Sequence, residues 1–272
     1  MLLGLGSAVL SAVLFGVAAV VQARAVRDLE GRASDLRWFL AHGWRHPLLV
    51  AVVAAYLAGF VLHAVSIYYL PLYLAQAAIS LSLPITAVLA AARLGEALGA
   101  VRWACVGAVV AGIVLLALGS GDPGSVHTGT GFVSLLWLGV LLLLALGRSP
   151  RVTGAGALGA LGGLGYAGSA IAVRAVGWPL DPITVVAALS VPAYGVVAFW
   201  LYSVGLDRGS VATATGPLIV GQTFVPALVG VAFLGDQVRT GWWPGVLAGL
   251  VLATAGAVLL SARQPSEAAA LR

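Results

Sequence analysis

Polar side chains inside long apolar runs are where this sequence can do chemistry, because a donor or acceptor in hydrocarbon must find a partner or line a cavity. Gln76, Ser80 and Pro84 recur at i, i+4 and i+8 of one run, and Thr215, Gln222 and Pro226 at i, i+7 and i+11 of another. On a helix each set shares one face. His63 is the only His, Asp or Glu well inside any run, and Tyr56 and Ser66 share roughly its face. Its imidazole can exchange a proton near neutral pH, or stay neutral as a hydrogen-bonded core group. Tyr166 and Ser169 in one run, with Tyr194 and Tyr202 in the next, can supply an aromatic wall. Pro84 and Pro226 each free a backbone carbonyl, which is tolerated at membrane depth where helices line a cavity. The plainer use of Ser, Thr and Gln there is to join helices, at about 0.6 kcal/mol per hydrogen bond.

These groups suit binding, not catalysis. The sequence holds no Ser-His-Asp set, HExxH, P-loop or pair of buried carboxylates, so an enzyme has no candidate site, and neither a resident metal nor a cofactor is expected. Cys105 is the only cysteine, which excludes an internal disulfide and a Cys-based metal cluster. With no carboxylate inside a run, a proton-coupled exporter of cationic drugs is disfavoured. Mg²⁺ prefers oxygen ligands with one or two carboxylates but keeps several waters, so passage of a hydrated ion along amides and carbonyls stays open.

The elements that must position these residues follow from composition. Of 272 residues, 61% are hydrophobic and 8% charged, with a mean hydropathy of +1.06. Soluble domains are about 25% charged, so a water-soluble globular protein is excluded. One span consumes roughly 20 residues. Apolar runs fall near 2–23, 47–69, 72–94, 101–119, 129–147, 152–175, 182–204, 209–234 and 241–262, nine in all. They are apolar on all faces and several are too long for strands, which predicts an all-α integral membrane protein and not a barrel. The first run has no basic segment before it and reads as a retained helix, not a signal peptide. Between Arg24 and His46 lies the longest loop, where Trp38, Phe39 and Leu40 suggest a short helix in the interface. Trp103 and Trp243, at span starts, read as interfacial anchors.

All 14 positive charges are Arg and the formal net charge is +5. In a membrane chain this excess reports orientation and not nucleic-acid binding. With the N-terminus outside, the cytoplasmic side holds Arg24, Arg27, Arg32, Arg37, Arg45, Arg93, Arg102, Arg148, Arg151, Arg208, Arg263 and Arg272. Only Arg174 and Arg239 fall outside.

Internal repetition points the same way. Leu94-Gly95-Glu96 recurs as Leu234-Gly235-Asp236, and a tryptophan follows seven residues after each acid, at Trp103 and Trp243. Pro84 and Pro226 interrupt the runs upstream at similar depth, and Arg24-Ala25-Val26 is echoed by Arg174-Ala175-Val176. Runs one to four and six to nine are thus copies, and the single run between them makes the second copy inverted. Arg174 and Arg239 are then kept outside by the repeat, as mates of Arg24 and Arg102. Glu96 and Asp236 each follow a Gly and precede the next helix, where an acid favours the N-terminal dipole. The Gly residues of run six (Gly154, Gly156, Gly159, Gly162, Gly163, Gly165, Gly168), of run four (Gly107, Gly112) and of run nine (Gly245, Gly249, Gly256) allow close helix packing, or a homodimer face.

The two apolar-Gly-acid turns, each leading into a Gly-rich helix, resemble the drug/metabolite transporter superfamily, the EamA-like group. The count of four, one and four spans looks most like its NIPA-type branch, as does Ser210-Val211-Ala212-Thr213-Ala214-Thr215-Gly216-Pro217-Leu218. Asp236 stands where that family usually has Glu. The resemblance implies a first repeat over 1–119, a linking helix at 129–147, an inverted second repeat over 152–263 and a tail at 264–272. It also implies secondary transport of a small neutral or zwitterionic solute by alternating access, for which the residues read above, His63, Gln76, Ser80, Pro84, Tyr166, Thr215, Gln222 and Pro226, are the expected lining. A NIPA-like Mg²⁺ pathway and a non-transporting membrane scaffold are the alternatives. The Lys-free composition, rich in Ala, Gly, Val, Leu and Arg, is typical of GC-rich bacterial genomes, which places the chain in a bacterial cytoplasmic membrane with the lipid bilayer as its partner.

Overall fold

The computed structural model describes residues 2–27, 46–85, 88, 99–124, 128–177, 181–209 and 211–262, without the side chains of 19–20, 22–27 and 211–212. The loop residues 28–45 with Trp38, Phe39 and Leu40, the Leu94-Gly95-Glu96 turn and the tail beyond 262 therefore lie outside the described residues. Every named element is a helix: α1 Leu2–Arg27, α2 Pro47–Tyr69, α3 Leu72–Ile79, α4 Ala100–Leu118, α5 Thr130–Gly147, α6 Ala155–Ala175, α7 Pro182–Arg208, α8 Val211–Phe233 and α9 Trp243–Ala262. Seven of them, α2 and α4 to α9, are long and apolar enough to cross a membrane. The other two carry shorter apolar stretches, Leu2–Ala18 and Leu72–Ile85.

Where boundaries differ from the sequence expectation, the reason is local. Helix α1 continues to Arg27 and not 23, and α7 to Arg208 and not 204. Arginine is a good helix former, so a charge marks the edge of a span without ending the helix. Helix α3 breaks at Ser80 and Leu81, and residues 82–85 are helical again. Pro84 has no N–H for the carbonyl four residues earlier, and Ser80 O takes instead a long 3.4 Å contact from Leu83 N. At the start of α7, Pro182 follows the N-cap Asp181, whose carboxylate accepts the Thr184 amide at 2.7 Å. That bond holds the Asp181 carboxyl below the usual carboxylate range.

The outward surface is what lipid requires. Leu57, Val61, Leu135, Leu141 and Leu228 are all exposed, an apolar shell that water would not tolerate. Inside, α6 packs against α7 and α8, α1 against α2, and α4 against α9, while α3 lies on α8, α1 and α4. Helix α5 touches α6 and α7 at the edge.

Glycines set the closest of these approaches. Gly159 and Gly163 lie directly on the main chain of Ala214 and Leu218, so α6 and α8 meet backbone to backbone. A Cβ on Gly112 would stand 2.5 Å from Ala253 N, and one on Gly249 would stand 2.7 Å from Gly112 O, which fixes the α4 to α9 crossing. Small residues serve this purpose in membranes, where no hydrophobic force draws helices together. Gly107 does not take part, since nothing lies within 4 Å of its Cβ position. We therefore expect Gly112→Ala to destabilise the protein by about 1–3 kcal/mol through overpacking, and Gly107→Ala to stabilise it by roughly 0.5–1 kcal/mol through helix propensity. Unfolding in detergent or bicelles by urea or SDS titration measures both.

Candidate functional site

Helix α2 ends where Leu70, restrained by the following proline, turns extended (φ −127°, ψ 151°) while its N–H still donates to Ser66 O at 2.9 Å. Pro71 then opens α3, which runs back beside α2 and brings Gln76 against His63. Both side chains are buried. Gln76 Nε2 lies 2.9 Å from His63 Nε2, and Ser66 Oγ lies 3.2 Å from His63 Nδ1 and 2.7 Å from His63 O. One neutral tautomer satisfies all three contacts: the Gln76 amide donates to Nε2, Nδ1–H donates to Ser66 Oγ, and that hydroxyl donates to the His63 carbonyl. The histidine is thus a fully partnered neutral group. A proton added at Nε2 would face the Gln76 amide donor and require it to turn its oxygen inward.

A second pair lies between α7 and α8, where the Tyr202 hydroxyl and Thr215 Oγ1 are 2.7 Å apart and both residues are buried. Aromatic rings run between the two pairs. Phe15 of α1 lies 6.3 Å from His63 and 5.7 Å from Tyr56, and Tyr56 lies 5.9 Å from Phe199, three residues before Tyr202. The rings in contact are thus Phe15, Tyr56 and Phe199, and not the expected set of Tyr166, Tyr194 and Tyr202; the two phenylalanines were passed over because a phenylalanine in an apolar run carries no signal.

The remaining residues divide. Ser80 and Pro84, just past the end of α3, and Gln222 and Pro226 on α8 are all buried, and α3 and α8 pack together. The carbonyls that Pro84 and Pro226 deprive of a helical donor, four residues earlier, belong to Ser80 and Gln222 themselves. Tyr194 and Ser169 belong elsewhere. The Tyr194 hydroxyl donates to Leu136 O at 2.7 Å and fastens α7 to α5, and Ser169 Oγ donates to Val191 O at 3.1 Å. Trp103 and Trp243 are exposed in the first turns of α4 and α9, as interfacial anchors should be.

Asp236 corrects the sequence reading. Gly235 takes φ +78°, a left-handed value open to glycine, and the Asp236 N–H donates to Gly230 O at 3.0 Å. This turn sends the carboxylate inward, away from the start of α9. One oxygen accepts from Leu72 N at 2.7 Å, the first amide of α3. The other accepts from Gly124 N at 2.8 Å and from Arg174 Nη2 at 3.1 Å. Arg174 also donates to Gly124 O at 2.9 Å and Leu70 O at 3.0 Å. The acid thus caps α3 and not α9, and Arg174 is its buried ion-pair partner. Four segments meet here: the turn between α2 and α3, the loop after α4, the end of α6 and the loop after α8.

No protein-family model, curated protein or solved structure matches this chain.

Among the described residues no group of three or more His, Cys, Asp or Glu is placed to hold a metal ion. The central polar set is uncharged and built from amides, hydroxyls and one imidazole, which suits a solute that exchanges hydrogen bonds. The charged cluster lies apart from it, at the end of the bundle where α2 ends and α3 and α9 begin. The two should differ in their weight on stability. We expect Tyr202→Phe to cost about 0.6 kcal/mol, the mean for a hydrogen bond between membrane helices, and Asp236→Ala to cost roughly 3–5 kcal/mol by leaving Arg174 buried without its counter-charge. Equal losses in a denaturant titration would contradict this ranking.

Proposed function

We propose that this chain is a multi-pass secondary transporter of the drug/metabolite superfamily type, carrying a small neutral or zwitterionic solute by alternating access. The observation that carries the reading is the buried, uncharged polar set, drawn from α2 and α3 on one side and from α7 and α8 on the other. A static core gains little from such groups, whereas a path through a bilayer needs them.

The packing agrees with two inverted halves, α1–α4 and α6–α9, with α5 as linker. Across a two-fold axis in the membrane plane, elements nearest the axis meet their own mates, as α3 meets α8 and α4 meets α9. The α1 to α2 pair has its counterpart in α6 and α7, and α5 stays at the edge. On this reading the His63 to Gln76 and Tyr202 to Thr215 contacts are placeholders. A solute replaces each by a bond of similar strength, and the Ser80 and Gln222 carbonyls accept from its donors. The arginine distribution supports an N-terminus outside and a C-terminus in the cytoplasm, and the Lys-free composition supports a bacterial membrane.

The test is uptake into proteoliposomes of amino acids, small neutral metabolites and Mg²⁺, with and without a pH gradient. We expect organic-solute uptake that falls at least tenfold in Gln76→Leu and Gln222→Leu, both remaining folded by size-exclusion chromatography. Flux of Mg²⁺ alone would overturn the solute assignment in favour of a divalent-cation path. No flux across the panel would favour a membrane scaffold.

A further inference from the structure

We propose that the Arg174 to Asp236 ion pair is an outer gate opened by charge exchange, and that it selects solutes bearing both a positive and a negative group. The inference rests on the transport reading above and names the solute class that the same path admits.

The pair lies at the end where α1 begins, since Gly4 of α1 packs on Leu70 and Tyr69. With the N-terminus outside, this is the outer end. A cavity of about 480 Å³ opens there, lined by Tyr69, Leu70, Pro71, Gly121 and Gln237 among others. Its volume falls within the roughly 300–1,000 Å³ usual for small-ligand sites. The cavity and the ion pair share their main chain. Leu70, which lines the cavity, accepts from Arg174, Pro71 precedes the amide that Asp236 accepts, and Gln237 follows Asp236.

The surrounding chain is braced. Ser120 and Val238 form an antiparallel bridge, Gln237 N donates to Asp122 O at 3.0 Å, and the Tyr73 hydroxyl donates to Gln237 O at 3.0 Å. Passage from the cavity towards Gln76, one turn further along α3, requires the segments joined by Arg174 and Asp236 to separate. Their side chains are 7% and 0% exposed. Pulling them apart without substitutes leaves two buried charges uncompensated, which is the costly way to break such a pair.

A solute with one charge relieves one partner and strands the other. A zwitterion relieves both, its carboxylate taking the place of Asp236 on Arg174 and its ammonium the place of Arg174 on Asp236. The two Arg174 carbonyl contacts, to Leu70 and Gly124, keep the guanidinium in place during the exchange. No net charge is buried at any step.

The test reads accessibility and needs no flux. Cys105 is replaced by Ala, and Leu74, fully buried two residues inside the gate, is changed to Cys. The variant is reconstituted in liposomes and exposed to a membrane-impermeant methanethiosulfonate. L-alanine and L-leucine are the zwitterionic probes. Their amides supply the positive group alone, and propionate and 4-methylpentanoate the negative group alone. We expect either amino acid to raise the labelling rate at least tenfold and the four singly charged analogues to change it less than twofold. Asp236→Asn or Arg174→Gln should raise the basal rate at least tenfold and abolish the amino-acid effect.

Equal acceleration by the singly charged analogues, or no acceleration by either zwitterion, overturns the proposal. The native Cys105 on α4, labelled with the reagent on both sides of the membrane in the chain with and without Asp236→Asn, is the control for general loosening. If Asp236→Asn speeds its labelling as much as that of Leu74→Cys, the pair is a brace and not a gate. A chain that passes this test yet moves no solute refutes the transport reading alone, and one that transports but fails it refutes the gate alone.

Discussion

In the core of a bilayer no water is present to take up a loose hydrogen bond, and every feature of this protein answers to that constraint. It makes the main chain helical, since only a helix closes its own backbone bonds within one segment. It also makes each departure from helix informative. Pro84, Pro192, Pro217 and Pro226 all stand inside or beside helical segments, and each removes a donor that hydrocarbon cannot replace. Three of the four withdraw it from residues that also carry polar side chains, Ser80, Thr213 and Gln222. Ser80 and Gln222 are themselves buried, so at these two positions backbone and side-chain polarity coincide inside the bundle.

The same constraint explains which parts of the fold were legible in the sequence. Helix α2 runs from Pro47 to Tyr69, as its apolar run indicates, because a proline at one end and a Leu-Pro step at the other both act through the local chain. Helix existence was readable for similar reasons, since apolar length is a sum over neighbours. The ends of α1 and α7 were not, because an arginine sets where lipid stops and not where hydrogen bonding stops. Of the site, the polar stripes on α3 and α8 follow from spacing alone. Which partner each group takes does not: Gln76 finds His63 only because the turn at Leu70 and Pro71 folds α3 back beside α2.

Asp236 shows the limit most clearly. From sequence it is an acid after a glycine ahead of a helix, and a dipole role for α9 is the natural reading. The structure uses it for a different helix, since its oxygens cap α3 and hold Arg174, whose position lies 62 residues away. Nothing in local spacing encodes such a partnership. Tyr194 departs for the same reason. Its place beside Tyr202 on α7 suggested a shared wall, but two residues eight apart on a helix drift around the axis, and its hydroxyl reaches Leu136 of α5.

The two polar layers also differ in what it costs to open them, and this orders events on the transport reading. Central contacts between helices are worth about 0.6 kcal/mol each, close to thermal energy, so His63, Gln76, Tyr202 and Thr215 can exchange partners freely. The buried ion pair is another matter, at roughly 3–5 kcal/mol when one partner is lost. A barrier of that size belongs at the mouth of a path and not at its centre, because a centre that binds strongly would hold the solute it is meant to release. The net charge of the two layers is consistent with this division. The central set carries none, and Arg174 and Asp236 cancel, so no layer attracts a lone ion into the bilayer. On the transport reading, balanced charge at the end of the bundle selects first, and weak neutral hydrogen bonding within it follows.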